Sequence, residues 1–396
     1  MNNSWPRVKL GEVIGQRKDF VRIDDLCTYK RCRVQLHAKG IVLRDLVTGS
    51  ELKTKEQQIC RPGDFLVAEI DAKVGGYGIV PDELDGAIVS SHYFLFEVDR
   101  TRLNRNFLGY FIKTPDFFDQ VSARGTTNYA AIRPSHVLEY QIPLPPFEEQ
   151  RRIVVKIDEL AAKIKEASTL QQQAEAKGER LLISMAHGHD LNGEAKEREN
   201  WKWVSLGEVL LYVDDSHRVE AERTYPNFGI YSFGRGLFKK QPIDGALTSA
   251  TTLRRVKRGQ FVYSRLFAFE GAYGMVTDDY DGFFVSNEYP TFDCDQSRIR
   301  VEFLWAHFKS PAVWKEVAAG SKGLGDRRQR VQPTQLLSYR FWLPPLEWQN
   351  RIAEVQTQVD ALKPLQRETA AELDALLPSV LDKAFKGELA TAHSRA

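Results

Sequence analysis

Only four cysteines occur in the 396 residues, Cys27, Cys32, Cys60 and Cys294, too few and too unevenly placed for a disulfide framework. Cys27 and Cys32 stand close together, but no second metal-spaced pair follows them, so buried free thiols are expected rather than a zinc site. No apolar run reaches transmembrane length and MNNSWPRVKL contains no signal segment, which predicts a cytoplasmic protein. Neither sign of charge dominates: 55 Lys and Arg face 53 Asp and Glu, so any nucleic-acid partner must be met by local clusters. The sequence also lacks a GxxxxGK[ST] phosphate loop, the Asn/Asp-Pro-Pro-Tyr motif of adenine methyltransferases and a compact acidic nuclease cluster. GGYG at 75–78 lacks the lysine of a phosphate loop and reads as a turn. His92 and His136 have no evident nucleophile or metal partner and suit core or surface roles. No catalytic, cofactor-binding or metal-binding residue is expected.

What the chain does have is nearly everything twice. WPRVKLGEV at 5–13 returns as WKWVSLGEV at 201–209, an offset of 196. At the same offset RPGDFLVA (61–68) matches KRGQFVYS (257–264), GGYGIV (75–80) matches GAYGMV (271–276), and LDGAIVS (84–90) matches YDGFFVS (280–286). LPPFEEQ (144–150) and LPPLEWQ (343–349) align at 199, so a few residues are inserted late in the second copy. Two long repeats are too few and too large for a solenoid, and a pseudo-twofold monomer is the natural alternative.

Each copy opens with about 140 residues of short apolar stretches broken by Gly, Pro and Asp, which predicts a mixed, mostly-sheet domain. GDFLV and GQFVYS read as strands entered from a Gly turn, and 107–121 and 302–317 as helices around a Pro turn. After each Pro-Pro pair comes a helical seam. In copy one it runs Ile153, Ile157, Leu160, Ile164, Ala167, Gln171, Ala174, Gly178, Leu181, Met185; in copy two Ile352, Val355, Val359, Leu362, Gln366, Thr369, Leu373, Leu376, Val380. Pro364 and Pro378 are expected to kink or break the second helix. A helix of about 35 residues is about 50 Å long. Alone it would expose its stripe, so the two should pack antiparallel. Pro145 and Pro146, like Pro344 and Pro345, end a strand and delay the helix, while Glu148, Glu149 and Glu347 suit the positive end of its dipole.

LPPFEEQRRIVVKID at 144–158, LPPLEWQNRIAEV at 343–355, LLPSVLDKAFKGEL at 376–389 and WxxVxLGEV at each domain start together resemble the DNA-specificity (S) subunit of type I restriction–modification systems. The resemblance spans essentially the whole chain, with two departures: Trp348 stands where a small or acidic residue is usual, and Pro364 lies in a segment expected to be helix. It implies an α+β fold of two target-recognition domains, 1–146 and 201–345, joined by two antiparallel coiled-coil spacer helices, 147–190 and 346–390, with a linker at 191–200 and a tail at 391–396. Each domain would read one half of a split, asymmetric DNA site. The spacer would set the gap and dock two methyltransferase subunits, and restriction subunits would join that complex. S-adenosylmethionine, ATP and magnesium would belong to those partners, and this chain would be non-catalytic. The spacer and docking positions so implied are Pro145, Pro146, Gln150, Ile153, Ile157, Leu160, Ile164, Pro344, Pro345, Gln349, Ile352, Val359 and Leu362.

Base reading calls for hydrogen-bonding side chains on loops, and phosphate contact calls for basic ones. SARGTTNYAAIRP at 122–134 supplies Arg124, Thr126, Thr127, Asn128, Tyr129 and Arg133; AGSKGLGDRRQRVQP at 319–333 supplies Lys322, Arg327, Arg328 and Arg330. The two loops hold matching places but differ almost completely in content, as two different half-sites would require. Lys73 and Arg265 are added candidates, with Lys30, Arg31, Arg33, His37, Lys39, Arg235, Lys239, Lys240, Arg254 and Arg255 behind them. Two other readings remain open: the same fold serving a methyltransferase-only modification complex, and a coiled-coil scaffold unrelated to DNA.

Overall fold

The computed structural model describes residues 5–122, 131–319 and 330–389. Copy one begins with β1 (Arg7–Lys9), β2 (Ile14–Arg17) and β3 (Phe20–Arg22), then the long hairpin β4 (Thr28–Gln35) and β5 (Gly40–Thr48). β6 (Glu56–Ile59), β7 (Phe65–Ala68), β8 (Tyr77–Ile79), β9 (Ile88–Val89) and β10 (Tyr93–Val98) follow. Helices α1 (Arg105–Phe111), α2 (Pro115–Ser122) and α3 (Pro134–Glu139) precede β11 (Gln141–Pro143) and the 41-residue α4 (Phe147–His187).

The segment expected as a linker holds a short helix, α5 (Gly193–Arg198). Copy two then runs β12 (Lys202–Ser205), β13 (Leu210–Val213), β14 (Ser216–Arg218), β15 (Thr224–Tyr231), β16 (Gly236–Asp244) and β17 (Thr252–Arg255). β18 (Phe261–Tyr263), β19 (Tyr273–Met275), β20 (Phe284–Val285) and β21 (Thr291–Cys294) complete its main sheets. Helices α6 (Val301–His307), α7 (Pro311–Ala318) and α8 (Pro333–Ser338), strand β22 (Arg340–Leu343) and the 40-residue α9 (Leu346–Phe385) close the chain.

The sheets repeat strand for strand. Copy one has a four-stranded sheet β2-β10-β7-β8, a five-stranded sheet β3-β6-β9-β4-β5 and the pair β1-β11; copy two has β13-β21-β18-β19, β14-β17-β20-β15-β16 and β12-β22. Even the single parallel contact recurs, Arg31 opposite Ile88 and Asn227 opposite Phe284. The core residues explain why: Leu10, Phe65, Tyr77 and Phe107 in copy one and Leu206, Phe261, Tyr273 and Phe303 in copy two are all fully buried. The fold class is therefore the one expected, two mixed, mostly-sheet domains joined by two long antiparallel helices.

By compactness the chain divides into Met1–Leu170 with Glu368–Ala396, and Gln171–Arg367, so both divisions fall inside the long helices. In the first unit the start of α4 (Ile153, Val154, Ile157) and the end of α9 (Leu381, Ala384) share one core cluster with Phe107 and Phe111. Phe385 closes it, with ring centroids 4.9 Å from Phe107 and 5.3 Å from Phe111. In the second unit the end of α4 (Leu182, Ala186) and the start of α9 (Ile352) share the corresponding cluster. Each unit therefore contains the beginning of one helix and the end of the other, packed antiparallel.

Three expectations need correction. Pro364 and Pro378 do not interrupt α9, which is helical throughout; both lie on its exposed side, where water can replace the missing donor. The seam of α9 holds at Ile352, Val355, Val359, Gln366, Leu373 and Val380 and slips by one residue at Leu362, Thr369 and Leu376. Leu362 is 51% exposed and Leu376 43% exposed, while Gln356, Lys363 and Leu377 turn inward. In α4 the same happens late: Leu181 is 50% exposed and Leu182 fully buried, because that end packs on the second unit's sheet domain. Finally, all four cysteines are free, but Cys27 is exposed in the turn entering β4, and only Cys32 and Cys60 are fully buried, their sulfurs 3.7 Å apart.

Candidate nucleic-acid interface

Two turns and a hairpin tip meet at one place in each copy. In copy one the β4–β5 tip puts His37 and Ala38 in left-handed backbone, φ 60° and 53°, a conformation that disfavours side chains. Two backbone hydrogen bonds hold it: His37 N–H to Val74 O at 2.8 Å and Ala38 N–H to Gly75 O at 2.9 Å. Gly75 itself has φ 78°, and a Cβ there would come within 2.6 Å of the Ala38 nitrogen. GGYG is thus a turn that receives the hairpin tip. In copy two Phe233 N–H binds Glu270 O at 2.7 Å and Gly234 N–H binds Gly271 O at 3.0 Å, with Gly271 at φ 83°.

The same region anchors the end of each candidate loop. Ile132 N–H donates to Glu69 O at 3.0 Å, and Glu69 N–H to His92 O at 2.9 Å. In copy two Val331 N–H donates to Arg265 O at 3.0 Å, and Arg265 N–H to Glu288 O at 2.9 Å. Through these bonds Arg133, His37 and Lys73 in copy one, and Arg330, Arg265 and Arg235 in copy two, come to lie around one backbone junction. Arg133 is exposed, and Lys73 is half-buried in the 3-10 turn Asp71–Val74. Arg330 pairs with Glu288 at 3.5 Å, Arg265 donates to Gln332 Oε1 at 2.6 Å, and Arg235 lies over the Tyr231 ring at 4.6 Å. Arg124, Thr126, Thr127, Asn128, Tyr129, Lys322, Arg327 and Arg328 lie outside the described residues.

Other sequence candidates are tied into the sheets. Arg31 makes a two-pronged pair with Asp45 at 2.7 and 2.6 Å, and Arg254 pairs with Asp214 at 3.1 Å while covering Tyr212. Arg31 thereby commits its two-pronged Nε–Nη2 edge to a carboxylate, and Arg254 commits its Nε. Sequence reading missed Glu69, Glu288 and Gln332, and it set His92 aside, although His92 Nδ1 lies 2.8 Å from Glu69 Oε2. Following the offset position by position would have aligned Glu69 with Arg265 and His92 with Glu288.

The motif residues resolve into joints. Gln150 is fully buried: its Oε1 accepts from Asn104 N–H at 2.8 Å, and its Nε2 donates to the carbonyls of Arg102 and Pro145, both at 2.9 Å. Gln349 does the same with Arg300 N–H, Arg298 O and Pro344 O at 2.7, 2.9 and 2.8 Å. Ile153, Ile157 and Ile352 are buried within their units, Leu160, Ile164 and Val359 are half-buried, and Leu362 faces solvent. Pro146 is exposed, Pro345 half-exposed, and Pro145 and Pro344 are buried. Trp348 has a structural reason: its Nε1 donates to Met185 O at 2.9 Å and its ring stands edge-on to Trp201 at 5.6 Å. Among the described residues no group of three or more His, Cys, Asp or Glu could hold a metal, and no helix is long and apolar enough to cross a membrane.

Residues 15–176 match the family model described as the type I restriction modification DNA specificity domain. Among solved structures, a chain from a study of complex assembly and conformational transition in the type I R-M system is 24% identical, with a TM-score of 0.68, covering 98% of this chain and 99% of that one. The HsdS subunit from Thermoanaerobacter tengcongensis is 25% identical, with a TM-score of 0.53 and 98% of each chain covered. No curated protein matches the chain.

Proposed function

We propose that the chain is a DNA-specificity subunit of a type I restriction–modification system, a non-catalytic member of that system, and that each of its sheet domains reads one half of a split DNA site. One observation carries the reading: a single scaffold, repeated strand for strand, presents different polar side chains at the same junction in each copy. Two identical domains would suit a palindrome; two domains alike in backbone and unlike in reading surface suit an asymmetric bipartite site. The long helices act as the spacer, and the Gln150 and Gln349 joints fix the angle at which each domain leaves it. Exposed apolar positions on the helices, Val155, Leu170, Leu362 and Leu365, support docking of methyltransferase subunits, through which restriction subunits would join. S-adenosylmethionine, ATP and magnesium belong to those partners, and the complex works on DNA in the cytoplasm.

The test is to co-purify the chain with its methyltransferase subunit and map methylated adenines on random DNA. A bipartite motif with constant spacing is the expected result, and a continuous palindrome is the result that overturns the reading. Adding the restriction subunit and assaying ATP-dependent cleavage separates a restricting complex from one that only methylates.

A further inference from the structure

The scaffold positions of the two copies keep their chemistry. Phe65 and Phe261, Tyr77 and Tyr273, and Gln150 and Gln349 are each the same residue in the same setting. At the reading junction the opposite holds. Glu69 and Arg265 stand 196 apart in sequence and hold the same place, each carbonyl accepting the amide that anchors the candidate loop (Ile132 or Val331). His92 and Glu288, also 196 apart, hold the adjoining place and accept the amide of residue 69 or 265. One position thus changes from acceptor to donor, and its neighbour from imidazole to carboxylate, on one backbone.

The backbone requires neither pair, because every bond that builds the junction is made by main-chain atoms. Nor does the core: the Glu69 side chain is 31% exposed and His92 70%, while Glu288 is 31% exposed. Among the described residues, Arg265 Nε and Glu288 Oε2 lack a hydrogen-bond partner, so neither side chain is fixed by a complete internal network.

We infer that these paired positions are where the two half-sites are told apart: Glu69, steered by His92, reads an exocyclic amino group in the first half-site, and Arg265, held by Gln332 beside the Arg330–Glu288 pair, reads guanine in the second. A carboxylate is acceptor-only and matches the N4 amino group of cytosine; a guanidinium is donor-only and matches guanine O6 and N7. This deepens the DNA-specificity reading and rests on it.

The experiment uses the full chain with its methyltransferase subunit, mapping methylated adenines on randomised DNA. The double variant Glu69→Arg, His92→Glu gives the first copy the second copy's pair. It is expected to change base preference at one position of the first half-site, by about tenfold or more, leaving the second half-site and the spacing intact. Glu69→Gln, nearly isosteric, keeps the packing should the double variant not fold, and is expected to relax discrimination at that same position. An unchanged first half-site in the folded variant, or a weakening spread evenly over all sequences, overturns the assignment. A wild-type motif without two parts overturns the specificity reading itself, and this inference with it.

Discussion

Gln150 and Gln349, one in each copy, are held by the same three hydrogen bonds, each clamping the N-terminus of a short domain helix and the carbonyl of a motif proline. A glutamine is suited to this because one side chain offers an acceptor and two donors in a rigid plane. Its removal leaves buried backbone groups unpaired. Gln150→Leu and Gln349→Leu are each expected to cost about 2–4 kcal/mol in denaturant unfolding. A cost below 1 kcal/mol, about the worth of a single bond, would mean that the joint is held some other way.

Trp348 occupies, in the second copy, the place that Glu149 holds in the first. Trp348→Glu would remove the bond to Met185 O and the edge contact with Trp201, at a cost of about 3 kcal/mol. Thermal unfolding that leaves the transition midpoint unmoved would show that the ring does not close the second unit.

The receiving turn of the hairpin tip admits only glycine. Gly75→Ala meets both a left-handed backbone and the His37–Ala38 main chain, and Gly271→Ala meets the Trp314 ring. Either is expected to destabilise by about 1–3 kcal/mol and to loosen the tip. Amide exchange checks it: protection at Ala38 or Gly234 should fall, whereas protection in the core strands should not.

Acid is expected to weaken the second unit. His307 is fully buried, stacked on His187 with centroids 4.4 Å apart, and hydrogen-bonded to Tyr339 OH at 3.0 Å. Burial holds its pKa well below 6.5, and His187 is lowered too, mainly by burial. Both are therefore neutral in the fold, whereas the unfolded chain binds their protons near pH 6.5. Their contribution is complete above that pH and is lost as pH falls below it. The midpoint of thermal unfolding should drop between pH 7 and pH 5, and His307→Gln should flatten that slope; an equal slope in the variant would assign it elsewhere.

Charge removal at Arg327, Arg328 and Arg330 is expected to weaken DNA binding and to reduce the salt slope by about one unit for each phosphate no longer neutralised. Titrations of DNA binding at several salt concentrations read both quantities. An unchanged affinity and slope would exclude the arginine cluster from the interface.

The sequence by itself determined the repeat, the class of each domain, the two Pro-Pro joints and the glycine turns, since all of these follow from spacing and backbone allowance. It also identified the loops before each joint as the places where the copies differ. It determined many of the inward-facing helical residues, Ile153, Ile157 and Ile352 among them, but not where the seam slips. A seam of 3.5 residues and a helix of 3.6 drift apart over forty residues, and the docking partner chooses the face: Leu182 over Leu181, Lys363 over Leu362. Nor could it reveal that Glu69, His92 and Arg133 belong together, since they are brought to one junction by main-chain hydrogen bonds between turns far apart in the chain. Those bonds carry no side-chain signature, and only the folded backbone makes them.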